Sequence, residues 1–301
     1  MAPTTEPDRQ LPLGEEIFLD HVGHFVRDPD AASRALARAG FAPTPLSIQS
    51  EPAAEGGTRP TGTGNVCAML SRGYMEVLFK TADTPLGREL EAGLARYCGV
   101  HLAALAVADA AAAHRRLGGA GFRVRPLAQM RRPVDTETGK GEVAFTIARV
   151  EAGVMPEGRM QILTHRTPGN LWQPRWLSHP NGALGLTRLI IAVADADEAV
   201  RRFARFTGRA AMRDGHAIAL DRGRIEFMTP KAFNEFLPDV EIPDLPFCGA
   251  YGIAVSSLDK IATLFRAGGL SVRRDGARMS ALFPTELGTG AWIFSERDAA
   301  V

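Results

Sequence analysis

The sequence predicts an α+β chain built from four βαβββ modules, and three observations carry that prediction. Four segments share one outline of apolar strand, turn, amphipathic helix and glycine: "LDHVGHFVRDPDAASRALARAGF", "VHLAALAVADAAAAHRRLGGAGF", "LTRLIIAVADADEAVRRFARFTG" and "YGIAVSSLDKIATLFRAGGL". The step from the strand-end valine to the closing glycine is fourteen, fourteen, fifteen and fourteen residues (Val26–Gly40, Val107–Gly121, Val193–Gly208, Val255–Gly269). Short β-type runs then follow every helix, separated by Pro/Gly-rich turns.

In the first module Ala32, Ala35, Leu36 and Ala39 fall at helical spacing, with Arg34 and Arg38 on another side. Small residues on the apolar stripe let the helix lie close to a sheet. Asp28, Asp30 and Asp109 stand where a helix N-terminus wants an acceptor, and each closing glycine suits a left-handed C-cap. The strands after the first helix are read at "APTPLSIQ", "NVCAMLS" and "YMEVLFK". Those of the second module are "FRVRPLAQM", "EVAFTIARV" and "RMQILTH", with "TGKG" as a hairpin turn. The third offers "AAMRDG", "HAIALDR" and "RIEFMTP", and the fourth "SVRRDG", "ARMSALF" and "AWIFSE". One helix covers one sheet face, so the other face must find a partner or line a cavity.

Composition sets the limits. The chain has 301 residues, 45% hydrophobic and 23% charged, enough for two ordinary domains with a real core. A net charge of +1 and scattered arginine pairs give no case for nucleic acid or an anionic membrane. No apolar run approaches the roughly twenty residues of a membrane helix. Cys67, Cys98 and Cys248 are odd in number and far apart, as expected of reduced thiols in a cytoplasmic protein. Residues 1–16, rich in proline and charge, read as a flexible tail without the apolar core of a signal peptide.

With its repeats in view, the chain resembles the vicinal oxygen chelate superfamily, the glyoxalase and extradiol-dioxygenase fold. The N-terminal half is similar to the glyoxalase-like domain branch through "LDHVGHFV", "MRRPVDT" and "MPEGRMQILTHRTP". The resemblance implies two domains of two modules each with cupped mixed sheets: residues 17–168, a link at 169–182, and residues 183–297.

It also implies a divalent metal (Zn, Ni, Co, Mn or Fe) held by the first and fourth strands of paired modules. That pattern selects His21 in "LDH", Glu76 in "YMEVL", His101 in "VHLAAL" and Gln161 in "RMQIL". On a strand, His21 shares its face with Gly23 and Phe25, whereas His24 points to the helix side. Gln161 stands where a carboxylate is more usual, either as a weak neutral ligand or as a substrate hydrogen-bonding group, and it argues against iron-dependent ring cleavage. Glu76 doubles as the expected catalytic base. Phe25, Tyr74 and Arg132 are expected to touch substrate; Arg131 and Arg132 read either as a solvated surface pair, the default, or as a clamp for a substrate carboxylate or phosphate. His165, on the same face as Gln161, is a reserve ligand or proton carrier.

Aligning the later modules on the valine–glycine frame places Arg188 opposite His21, Gly249 opposite His101, Trp292 opposite Gln161 and Glu226 opposite Glu76. The second domain therefore reads as degenerate: structural, a lid, or a dimer surface, leaving room for a homodimer. Two functions follow. One is a metal-dependent lyase or isomerase acting on a small carbonyl or hydroxyacid substrate through an enediolate. The other is a metal-free binding or sequestering protein of the bleomycin-resistance type.

Overall fold

The computed structural model describes residues 8–53 and 55–296. The first module runs β1 (Ile17–Phe25), α1 (Pro29–Arg38), β2 (Ser47–Pro52), β3 (Thr58–Met69) and β4 (Tyr74–Lys80). Asp28 starts α1 by accepting from the Ala31 N–H, with Pro29 in the first turn where its missing N–H costs nothing. A helix that the repeat does not announce, α2 (Pro85–Arg96), precedes the second module: β5 (Gly99–Val107), α3 (Ala110–Gly119), β6 (Ala128–Thr136), β7 (Gly139–Arg149) and β8 (Arg159–His165). The link carries α4 (Pro168–Leu171) and a single 3-10 turn. The third module is β9 (Ala183–Ala192), α5 (Ala196–Thr207), β10 (Ala217–Ala219) and β11 (Arg224–Met228), followed by α6 (Pro230–Phe236). The fourth is β12 (Phe247–Val255), α7 (Leu258–Ala267), β13 (Arg273–Asp275), β14 (Arg278–Leu282) and β15 (Ala291–Glu296). Gly40, Gly121, Gly208 and Gly269, the four closing glycines, all have φ between +71° and +85°.

The third module departs from the expected pattern. Its "AAMRDG" run contributes one bridge, Ala211 to Ile218, because residues 210–214 are exposed and have no apolar face to bury. The β6–β7 turn falls at residues 137–138, so most of "TGKG" is already strand.

In the N-terminal half the strands follow the order β1-β4-β3-β2-β6-β7-β8-β5, and β5 pairs back onto β1, so the sheet closes into a ring. The contact between β2 and β6 is a single pair, Ser50 with Arg131. The C-terminal half keeps the order β10-β11-β9-β12-β15-β14-β13 as an open sheet, and Cys248 of β12 pairs with Val100 of β5. Its inner face is filled by its own chain: Phe233, Leu237 and Val240 pack on Ile190, Ala192, Ala250 and Ile293. Residues 229–246 thus occupy the space that the ring leaves hollow.

The two halves meet through their outer faces, where α1, α3, α5 and α7 complete one continuous core. His24 is the joint. It donates from Nδ1 to the Leu287 carbonyl at 2.9 Å, and its Nε2 accepts from the Tyr251 hydroxyl at 2.9 Å. That hydroxyl accepts from the Trp292 indole at 2.6 Å. Burial holds His24 neutral, its pKa pushed down to about 4.

The link is packed. Trp172 and Trp176 lie against the cluster of Cys67, Met69, Tyr74, Val143 and Leu171. Residues 8–16, expected within a loose tail, lie against the second half, where Arg222 donates to the Arg9 carbonyl and Arg209 to the Glu15 carbonyl; residues 1–7 fall outside the described residues.

Candidate functional site

The interior of the ring is a cavity partly open to solvent, and all eight strands line it. Its walls separate chemically. Leu78, Leu102, Phe145, Ile147 and Leu163 are apolar, while His21, Asn65, Glu76, Arg132, Arg149 and Gln161 supply polar groups.

A bulge sets the polar centre. Pairing of β1 with β5 slips between Leu19 and His21, leaving Asp20 as the extra residue. Before the slip Leu19 faces the outer core; after it Val22 does, so Asp20 and His21 both face inward. Gly73 permits this, because at φ +80° any side chain there would place its Cβ 2.5 Å from the Asp20 carbonyl oxygen. Asp20 is fully buried and accepts twice, from His21 Nδ1 at 2.7 Å and from His165 Nε2 at 3.0 Å. Burial alone would raise its pKa, but the two imidazoles hold it well below the usual carboxylate range.

With Nδ1 committed to Asp20, His21 presents Nε2 to Glu76 Oε2 at 3.7 Å. Its ring stacks on Tyr74 with centroids 4.3 Å apart. The other oxygen of Glu76 accepts from Asn65 Nδ2 at 2.6 Å and Gln49 Nε2 at 3.1 Å. Thr63 in turn donates to Gln49 Oε1 at 2.6 Å, which fixes that amide's orientation. Glu76 is therefore a buried carboxylate with one oxygen tied down and one directed at an imidazole.

Of the sequence-selected residues, His21, Tyr74, Glu76, Arg131, Arg132 and Gln161 line this cavity, and three do not. A second slip, between Gly23/Leu102 and His24/Val100, makes His101 the extra residue of β5. It sits at the end of the ring against α2, stacked on Tyr97 at 3.9 Å and donating from Nε2 to the Tyr97 carbonyl at 2.8 Å. Burial lowers its pKa to about 4. Phe25 is the floor on that side, in contact with His101 and stacked under the Arg159 guanidinium at 5.4 Å. His165 is buried behind Asp20, against Trp172 and Phe145.

The valine–glycine frame already contained the correction for His101. Val107 minus five is Leu102, the true counterpart of Val26 minus five, His21. Strand pairing agrees: Tyr74 lies beside His21 as Arg159 lies beside Leu102. The same bookkeeping by register moves the counterpart of Gln161 in the last module from Trp292 to Ile293. Glu226 does match Glu76, and Arg188 in the His21 position reaches it at 3.3 Å.

These residues do not assemble the four-ligand metal site that the resemblance implies. His21 and Glu76 stand as two ligands of one ion would, but Leu102 fills the third position with hydrocarbon. Gln161 accepts from Arg149 Nε at 3.0 Å, placing a guanidinium where a cation would need electron density. Among the described residues no group of three or more His, Cys, Asp or Glu side chains is arranged so that it could hold a metal ion. Asp20, Asn65, Gln49 and Arg149 are the functional groups that motif matching overlooks. The inward alternation Phe145, Ile147, Arg149 marks the last of them, since a charged residue in that row must face the hollow.

Comparison with known proteins places these features in context. The glyoxalase-like domain family is matched by residues 19–207, a span reaching through the link to the end of α5. No curated protein matches. Among solved structures, a hypothetical protein from Staphylococcus aureus superposes with a TM-score of 0.61 at 13% identity, covering 93% of this chain and 99% of its own. A triple mutant of 4-hydroxymandelate synthase from Streptomyces coelicolor gives a TM-score of 0.56 at 13% identity, with 95% and 94% covered. A xylose isomerase-like TIM barrel/4-hydroxyphenylpyruvate dioxygenase fusion protein gives 0.55 at 11%, covering 97% of this chain and 51% of the fusion. At these identities the likeness is one of fold.

Proposed function

From the premise that the chain belongs to the glyoxalase-like domain family, within the vicinal oxygen chelate fold, we propose that it is an isomerase or lyase that moves a proton on a small carbonyl or hydroxyacid compound held in the ring cavity. The carrying observation is the dyad inside that cavity: Glu76, with one oxygen anchored by Asn65 and Gln49, facing a His21 whose other nitrogen is anchored by Asp20. Glu76 Oε2 takes the carbon-bound proton and the electron pair moves onto the carbonyl oxygen. The proton returns to that oxygen, or to the neighbouring carbon, through His21 Nε2. Two carboxylates flank the imidazole, so a proton passing through it meets a compensating charge on either side. The apolar wall excludes water and strengthens these interactions. No step is assigned to a metal, because the donor set departs from the family pattern at Leu102 and Gln161.

Solvent-deuterium exchange tests the reading. Candidate oxo- and hydroxyacids are incubated with protein in D2O, with and without chelator, and the carbon next to the carbonyl is followed by NMR. Exchange that survives chelator and is lost in Glu76→Gln supports it. A compound that binds without exchange or turnover points instead to sequestration, which the apolar half of the wall would also serve.

A further inference from the structure

The two modules forming the ring are related by the strand register, and the relation shows how their chemistry has diverged. Moving from the first module to the second, His21 becomes Leu102, Tyr74 becomes Arg159, Glu76 becomes Gln161, Asn65 becomes Ile147 and Cys67 becomes Arg149. One half of the cavity holds the acid–base pair; in the other half that pair is gone and two guanidiniums have taken positions on the inner wall.

Those guanidiniums are not equivalent. Arg159 lies within 3.5 Å of Glu89 on α2. Arg149 donates to Gln161 Oε1 at 3.0 Å and to Met130 Sδ at 3.4 Å, with no carboxylate within 4.0 Å among the described residues. Burial, together with the like charges of Arg159 and Arg125, lowers its pKa to about 9, against the opposing pull of Glu89 and Glu76. Arg132, the other cavity guanidinium without a carboxylate in reach, donates to Ser47 Oγ at 3.1 Å. A cation removed from water without a counterion is costly, and an anion arriving in the cavity would relieve that cost.

We propose that the ligand of this cavity is a small carboxylate, a 2-oxo or 2-hydroxy acid, whose carboxyl group is held by Arg149, with Arg132 as the second cation. This rests on the ring cavity being the site of the proposed proton transfer and specifies its substrate class. Arg149, Gln161, Ala104, His21 and Tyr74 succeed one another across five neighbouring strands. Arg149 is thus three strand spacings from His21, roughly 14 Å along the sheet and less across the hollow. A ligand anchored on Arg149 projects its oxo carbon and the carbon beyond toward Glu76, and its hydrocarbon tail meets Leu102, Phe145, Ile147 and Leu163. The fixed guanidinium also supplies, beside the developing enolate, positive charge that the metal supplies in the family pattern.

Calorimetry with pyruvate, 2-oxoisovalerate and phenylpyruvate, each against its neutral amide, tests the assignment. The acids are expected to bind and the amides to bind at least tenfold more weakly. Arg149→Gln should weaken the acids at least tenfold, with Arg149→Lys in between, while Arg274→Gln, an exposed side chain of the last module that pairs with Asp259, leaves affinity unchanged. Denaturation of each variant without ligand confirms that it is folded. Equal affinity for acid and amide, no binding of any acid, or unchanged acid binding in folded Arg149→Gln overturns the proposal. Arg149-dependent binding of an acid without deuterium exchange leaves this proposal standing and removes the proton-transfer reading.

Discussion

Replacing Asp20 by asparagine is the most informative single change. The carboxylate is fully buried and accepts from two imidazoles, at 2.7 and 3.0 Å. Asparagine has the same shape but one acceptor oxygen, so one imidazole must turn its proton away and receive the amide N–H. Each bond then changes from charge-assisted to neutral, about 1–2 kcal/mol apiece, for a total of roughly 2–4 kcal/mol. Asp20→Ala strands both nitrogens and should cost about 3–5 kcal/mol. In a domain of this size the asparagine variant should melt on the order of 5–15 °C lower. The effect depends on pH with a fixed sign. Because the folded state depresses the Asp20 pKa below its ordinary 3.8, the stabilisation is present above that value and disappears as pH falls below it. Urea unfolding at pH 7 and at pH 3 measures both, and the wild-type–variant gap should shrink in acid. A pH 7 difference below about 0.5 kcal/mol would refute the view that Asp20 is the charged hub of the site.

Further outcomes follow from other residues. His24 and His101 are both held neutral in the folded chain, near pKa 4 against an ordinary 6.5. The unfolded chain therefore binds the extra protons, and stability falls between pH 6.5 and 4, by up to about 2 kcal/mol per histidine from pH 7 to 5. His101→Gln should flatten that slope in urea titrations while leaving acid binding in the cavity intact. The Leu102→His, Gln161→Glu double variant places ligand types at the register counterparts of His21 and Glu76. It should acquire micromolar zinc affinity by calorimetry, at least a hundredfold tighter than the parent chain. An equal affinity would show that the cavity's geometry, rather than its donors, departs from the family pattern.

Much of the fold is legible in the sequence because it repeats. Strand, capped helix and left-handed glycine recur at nearly constant spacing, and these local rules survive folding: Asp28, Asp109, Asp195 and Ser257 cap the four repeat helices. What interrupts the repeat is less legible. α2 and the 229–246 segment close one end of the ring and fill the second hollow, and nothing in the periodicity announces where an insertion docks. At the site, strand alternation correctly separates His21 from His24, but it presumes an even pleat. Two one-residue bulges, at Asp20 and at His101, break that presumption, adding a carboxylate to the centre and removing a histidine from it. Such bulges depend on pairing between residues 76 to 86 positions apart in the chain.

The central claim is that Glu76 and His21 exchange a proton with a ligand in the ring cavity. Deuterium incorporation into a 2-oxo acid shown to bind, compared between wild type and Glu76→Gln, tests it most directly. We expect exchange in the wild type, a loss of at least a hundredfold in the variant, and acid affinity changed by less than threefold. Exchange at the wild-type rate in Glu76→Gln, or none in the wild type with that acid bound, would contradict it.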